Sequence, residues 1–184
     1  MKVTSDYVFF WASVLGNWTK TKDGILIPGQ YNIEEPGKDF RLPTSEHVFM
    51  YLKARYFKDY DTAKVIRITP DPKTAKKLGR GVKGFTEEEW EKYREEAMWT
   101  AISLRYQSDK KFRDYLMDPK FKDLMFVEAN PYDLVWSCGY LETDPRCDLP
   151  KETWPGLNLL GKLLTKLRNE HLEDTKTGEA EYIC

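Results

Sequence analysis

The chain has 184 residues, with 29 Lys plus Arg against 30 Asp plus Glu and a formal net charge of −1. That length suits one domain with a sizeable core, and the near-neutral balance gives the whole molecule no electrostatic bias toward nucleic acid. A 14% aromatic content, with six Trp and eleven Tyr, is too rich for a disordered chain. Three cysteines, Cys138, Cys147 and Cys184, form no CxxC pair, so neither a disulfide framework nor a zinc site is indicated and a cytoplasmic location is expected.

The opening VFFWASVLG has only one preceding Lys and no small-x-small cleavage site, so it reads as an aromatic strand rather than a signal peptide. No run approaches the roughly 20 apolar residues of a spanning helix, and no membrane association is expected. Short strands over Tyr7–Trp11 and Gly24–Ile27 are separated by Asp-Gly and Pro-Gly turns.

From Thr44 the pattern becomes helical. The stretch TSEHVFMYLKARYF is apolar nearly all round, as buried helices are, with Thr44 or Ser45 as cap. At about 100° per residue, Glu46 and Lys53 fall almost directly above one another. A structural ion pair is one reading of these two residues, and so is a lysine whose stem packs while its amine reaches water. The other reading is a reactive pair, in which burial lowers the amine's pKa, raises the carboxyl's, and prepares both for chemistry at a sugar anomeric carbon.

A short helix follows over Asp61–Ile68. Asp71-Pro72 starts another, with Gly79 as its stop signal. That places Arg80 between two glycines in a tight turn, a candidate phosphate cradle with a surface turn as its plain alternative. Thr86 and Glu89 form a capping box for the longest helix, to about Tyr106, with Trp90, Ala97, Ala101 and Leu104 inward. A further short helix covers Lys110–Met117.

LMFVEA, at 124–129, fits either a buried strand or a helical turn. In the irregular segment NPYDLVWSCGYL, Asp133 and Trp136 pair an acid with an aromatic that can stack on a base or plug the core. The last helix is expected from Gly156 to Leu172, with Leu157, Leu160, Leu164, Leu167 and His171 in register. Gly161 inside it implies close approach of another backbone. Asn158 and Arg168 are candidates for holding a loop or a ligand. With only His47 and His171, far apart, a histidine metal site or a Ser-His triad has little support.

Taken in order, FFW with Asn17 following, TSEHVFMYLKARYF, DPKTAKKLGRGVKGF, the Trp90 helix, VEANPYDLVWSCG, DPR and WPGLNLLGKLLTKLR resemble the NADAR family over nearly the whole chain. The resemblance implies a mainly α, compact single-domain YbiA-like fold with a small N-terminal β element. Residues 1–172 would form the domain and 173–184 a flexible tail. It also implies N-glycosidase chemistry at ribose C1′ with no metal or redox cofactor. Two substrate classes go with it: ADP-ribose attached to guanine, including ADP-ribosylated nucleic acid, and phosphoribosylamino-pyrimidine intermediates of riboflavin synthesis. A non-catalytic ADP-ribose-binding module is the competing reading.

On the family's pattern Glu46 matches the catalytic glutamate of its SE[QH] motif and Lys53 the lysine of its KA motif. Asp133 would steady charge at the sugar. Asn17, Arg80, Trp90, Trp136, Gly139 and Asn158 complete the substrate-binding candidates. The chain departs from the pattern at Gly16, at Trp18, at Arg105-Tyr106, and at Trp136-Ser137-Cys138-Gly139, where the family commonly has WGIG.

Overall fold

The computed structural model describes residues 1–177. In chain order its elements are β1 (Lys2–Val3), β2 (Tyr7–Phe10), β3 (Ile25–Ile27), β4 (Phe40–Leu42), α1 (Ser45–Tyr56), α2 (Tyr60–Ile68), α3 (Pro72–Arg80), α4 (Glu87–Ser108), α5 (Lys110–Leu116), β5 (Met125–Glu128) and α6 (Leu159–Thr177). The mainly helical class expected from the sequence is the one found. The contacts divide the chain into two compact units, one formed by Asn17–Phe112 and the other by Met1–Gly16 with the residues from Arg113 onward.

The first unit is built around α1, which packs against α2, α3 and α4. Every residue of α1 from Ser45 to Ala54 is buried, as its all-round apolar character demands. Its start is local chemistry: Thr44 is extended and its side chain accepts the His47 backbone N–H. Asp59, Asp71 and Thr86 cap α2, α3 and α4 in the same way. On α4, Trp90, Ala97, Ala101 and Leu104 face inward as expected. The capping box there is half formed: Thr86 accepts from the Glu89 N–H, while the Glu89 carboxylate takes Lys92 at 2.7 Å and Tyr56 at 3.3 Å. Strands β3 and β4 pair antiparallel beside these helices.

Gly79 is not a stop. Helix α3 continues through it and ends at Arg80, with Gly81 as C-cap. A Cβ at Gly79 would lie 2.0 Å from Met50 Sδ and 2.8 Å from its Cγ, so this glycine lets α3 close on α1. Glycine punctuates only where the backbone requires it, and here the requirement is space.

In the second unit β2 pairs antiparallel with β1 and parallel with β5, from Tyr7 opposite Met125 to Phe10 opposite Glu128. LMFVEA therefore contains a buried strand, and the β element is not confined to the N-terminus. Helix α6 lies on β5. It begins at Leu159, three residues later than Gly156, because Asn158 adopts a left-handed backbone (φ 51°) that a helix interior excludes. Leu157 consequently stands outside the helix and is exposed, while Leu160, Leu164 and Leu167 are buried.

A Cβ at Gly161 would sit 2.1 Å from the Phe126 carbonyl oxygen, which confirms the close backbone approach. Thr165 Oγ1 accepts from the Phe126 N–H at 2.9 Å, and Arg168 donates to the carbonyls of Phe121 and Leu124. Helix α6 runs on to Thr177, past the expected boundary at 172; the rest of the expected tail, 178–184 with Cys184, lies outside the described residues.

Candidate active site

Glu46 occupies the first turn of α1, where unpaired backbone N–H groups favour a carboxylate. Its own N–H donates to the Asn17 carbonyl at 3.0 Å, which ties the Asn17–Trp18 segment to the helix start. The residue is 4% exposed, and its Oε2 accepts the indole N–H of Trp18 at 3.3 Å. Asn17 turns its Nδ2 to Met98 Sδ at 3.4 Å. Asn17 Oδ1 and Ser45 Oγ are buried without hydrogen-bond partners among the described residues.

Two turns further along α1, about 10 Å in rise, Lys53 is 7% exposed. Its Nζ lies 3.9 Å from the centre of the Phe85 ring and 5.2 Å from that of Trp90. Burial pushes the amine below its ordinary value; the Glu87 carboxylate pulls it back up, and Arg80 pushes it further down. The ring faces favour the ammonium form and so oppose the burial. What results is a dry amine in an aromatic compartment with a second cation beside it.

Trp90 is a wall of that compartment. It is buried among Phe49, Phe57 and Tyr93, at centroid distances of 5.2, 6.3 and 6.1 Å, so its ring serves the core and the amine. Arg80 is exposed at the C-terminal end of α3. The expected glycine cradle is therefore absent at this point: a helix C-terminus presents carbonyls, not N–H groups, and a phosphate here would be held by side-chain cations rather than by backbone N–H groups.

Asp133, Trp136, Gly139 and Asn158 belong to the other unit. Asp133 Oδ1 accepts the N–H groups of Val135 and Trp136 at 3.1 and 2.9 Å, and its carbonyl accepts from Ser137 Oγ, so the aspartate organises its own turn. Trp136 is half-buried, and its carbonyl accepts the Leu160 N–H at 3.1 Å. Gly139 has a left-handed φ of 85° and no room for a Cβ, which would meet Pro155 Cγ at 2.7 Å. The Asn158 amide is committed to β5, donating to the Phe126 carbonyl at 3.1 Å and accepting from the Glu128 N–H at 3.0 Å. Gly139 and Asn158 thus have structural work of their own.

The NADAR domain model matches residues 9–172, which is most of the chain. The chain belongs to the NADAR domain family. It is 30% identical over 174 residues to a protein named N-glycosidase R617 of Acanthamoeba polyphaga mimivirus, covering 91% of this chain and 98% of that one. It is also 30% identical over 162 residues to the riboflavin biosynthesis protein PYRR, chloroplastic, of Zea mays, which takes in 80% of this chain and 23% of the maize protein. The NMR structure of the E. coli protein YbiA superposes with a TM-score of 0.63 over all of this chain and 92% of YbiA, at 24% identity, and shows the same fold. The family is one of N-glycosidases, hydrolases that act on N-glycosyl bonds.

Three residues of this NADAR domain near Glu46 or Lys53 were not singled out as site residues from the sequence: Trp18 and Phe85, which touch them, and Glu87, whose charge acts on Lys53. Trp18 was visible only as a departure from the family pattern after Asn17. Phe85 and Glu87 flank the Thr86 cap, and nothing local says that they face a lysine on another helix. Arg105, a second departure, is fully buried over the Phe112 ring and paired with Asp109 at 3.3 Å, so it belongs to the fold. Among the described residues no group of three or more His, Cys, Asp or Glu is placed to hold a metal ion, and no helix is long and apolar enough to cross a membrane. Cys138 and Cys147 are buried, and burial pushes the Cys147 thiol up to about 12, far from a reactive thiolate.

Proposed function

We propose that this NADAR domain cleaves the bond between ribose C1′ and a guanine nitrogen, removing ADP-ribose from a modified base. The observation that carries the reading is the pair on α1: a buried carboxylate and a desolvated amine two turns apart on one rigid helix. A binding module for ADP-ribose would need neither group withdrawn from water at such cost. Arg80 ends a stripe of Lys73, Lys76 and Lys77 on α3, at the i, i+3, i+4, i+7 spacing and with no acidic residue on the helix, which suits a substrate carrying more than one phosphate.

In this mechanism neutral Lys53 attacks C1′ as the C1′–N bond breaks, and the departing base nitrogen takes a proton from Glu46. The ring C1′–O4′ bond then opens, leaving a protonated imine between Nζ and C1′ and a hydroxyl at C4′. Water adds to the imine carbon, its proton returning to Glu46, and expulsion of the amine restores Lys53 and frees the ribose. An alternative route has Glu46 direct water to C1′ with Lys53 as an electrostatic partner.

Borohydride added during turnover tests the choice. A ribosyl adduct reduced onto Lys53, absent from Lys53→Ala, is the expected result; undiminished turnover with an unmodified Lys53 overturns the imine route. A second substrate reading, a phosphoribosylamino-pyrimidine, is favoured by the maize relative, whose name places it in riboflavin biosynthesis.

A further inference from the structure

Trp18 stands out among the residues around α1. It is 47% exposed, unlike a tryptophan that fills a core, yet its indole N–H is spent on the buried Glu46 carboxylate at 3.3 Å. The residue before it takes the backbone N–H of the same glutamate at 3.0 Å. One short segment therefore grips Glu46 twice, through the main chain by Asn17 and through the side chain by Trp18.

The physical consequence lies in the terminal torsion of glutamate. That torsion is broad and roughly two-fold, so packing alone leaves the two carboxylate oxygens interchangeable. An indole N–H is a donor only and can neither take nor return the carboxylate's proton. A hydrogen bond to Oε2 distinguishes the two oxygens and helps to fix the plane of the carboxylate. General acid–base transfer requires the acid within hydrogen-bond reach of a particular nitrogen, and fixing the plane favours that geometry before substrate arrives.

We propose that Trp18 is a positioning residue for Glu46, its indole N–H holding the carboxylate in the orientation that protonates the departing base. The inference rests on the N-glycosidase reading for its kinetic consequence, but the hydrogen bond itself can be tested without any substrate.

Trp18→Phe keeps the ring and removes only the N–H, while Trp18→Ala removes both. For the first, kcat falls on the order of tenfold, as removal of an orienting hydrogen bond does, with KM within about twofold of wild type; the second adds a rise in KM. In 1H–15N spectra of the wild-type protein, the Trp18 indole cross-peak is assigned by its loss in Trp18→Phe, and in Glu46→Ala it moves upfield as the acceptor is removed. The other indole cross-peaks, unmoved in Trp18→Phe, show that the variant is folded. A Trp18 cross-peak that stays in place in Glu46→Ala overturns the proposed bond, whatever the activity. Wild-type kcat in Trp18→Phe, or a loss confined to KM, overturns the positioning role. If the wild-type protein releases no base from any N-glycosyl substrate, the functional reading fails by itself while the spectra still decide on the bond.

Discussion

Lys53 and His47 lie on the same helix, and burial pushes both below their ordinary values, with different consequences. The Lys53 amine is withdrawn from water against Phe85 and Trp90; burial lowers its pKa, while the ring faces favour the ammonium form. Lys53→Arg separates nucleophilic from electrostatic roles, because a guanidinium keeps the charge and never deprotonates. Turnover and borohydride adduct should both vanish in that variant; retained turnover would assign Lys53 a purely electrostatic part. His47 is structural. Its Nδ1 lies 2.8 Å from Thr44 Oγ1 and its Nε2 3.1 Å from the Thr69 carbonyl, so a neutral ring with the proton on Nε2 satisfies both partners. Desolvation lowers its pKa from 6.5, and the Thr69 carbonyl and Asp71 oppose this only in part. Near and below pH 6.5 the unfolded chain therefore binds a proton that the folded chain refuses. Stability is complete above that range and declines as the pH falls through it. Thermal midpoints measured across it should drop on acidification, and by less in His47→Gln; the same slope in both proteins would remove His47 as the cause.

At the scale of elements, the most constrained contact is α6 on β5. Gly161→Ala gains about 1 kcal/mol in helix propensity, but its Cβ would meet the Phe126 carbonyl oxygen at 2.1 Å, and backbone cannot swing away. We expect a net loss of about 1–3 kcal/mol, read from denaturant unfolding; an unchanged or raised midpoint would mean that the helix lifts off the strand at little cost. Helices α1, α3 and α4 were legible in the sequence because their start signals are local: Thr44, Asp71 and Thr86 each cap the chain just ahead of them, whereas the Asp59 cap that starts α2 at Tyr60 was not singled out. Gly79 misled because an isolated glycine can mark a stop or a close contact, and only Met50, on another helix, decides between them. Strand β5 was ambiguous because its identity depends on β2, near the opposite end of the sequence. The late start of α6 follows from the left-handed Asn158, whose amide is drawn to the β5 backbone rather than to its own helix. Glu46 and Lys53 could be singled out as a pair from their spacing, since one helix carries both, but spacing left a structural pair and a reactive pair both open, and the family's pattern was needed to favour the second. Trp18 was not, because the path of a loop back to a helix is not written in any local pattern.

For the molecule as a whole, a net charge of −1 conceals the basic stripe that ends at Arg80, so any attraction to phosphate is local rather than global. The Asn17–Phe112 unit carries Asn17, Trp18, Glu46, Lys53, Arg80 and Trp90, and the other unit carries Asp133 and Trp136. NADAR membership makes N-glycosyl hydrolysis the chemistry to expect, and in the proposed mechanism the buried pair on α1 serves as its acid and nucleophile. The most direct measurement is mass spectrometry of two substrates, guanine-ADP-ribosylated DNA and a phosphoribosylamino-pyrimidine, each incubated with wild type, Glu46→Ala and Lys53→Ala. The expected result is free ADP-ribose and restored guanine with the wild-type protein only. Base release undiminished in both variants, or no release from either substrate by the folded wild type, would contradict it.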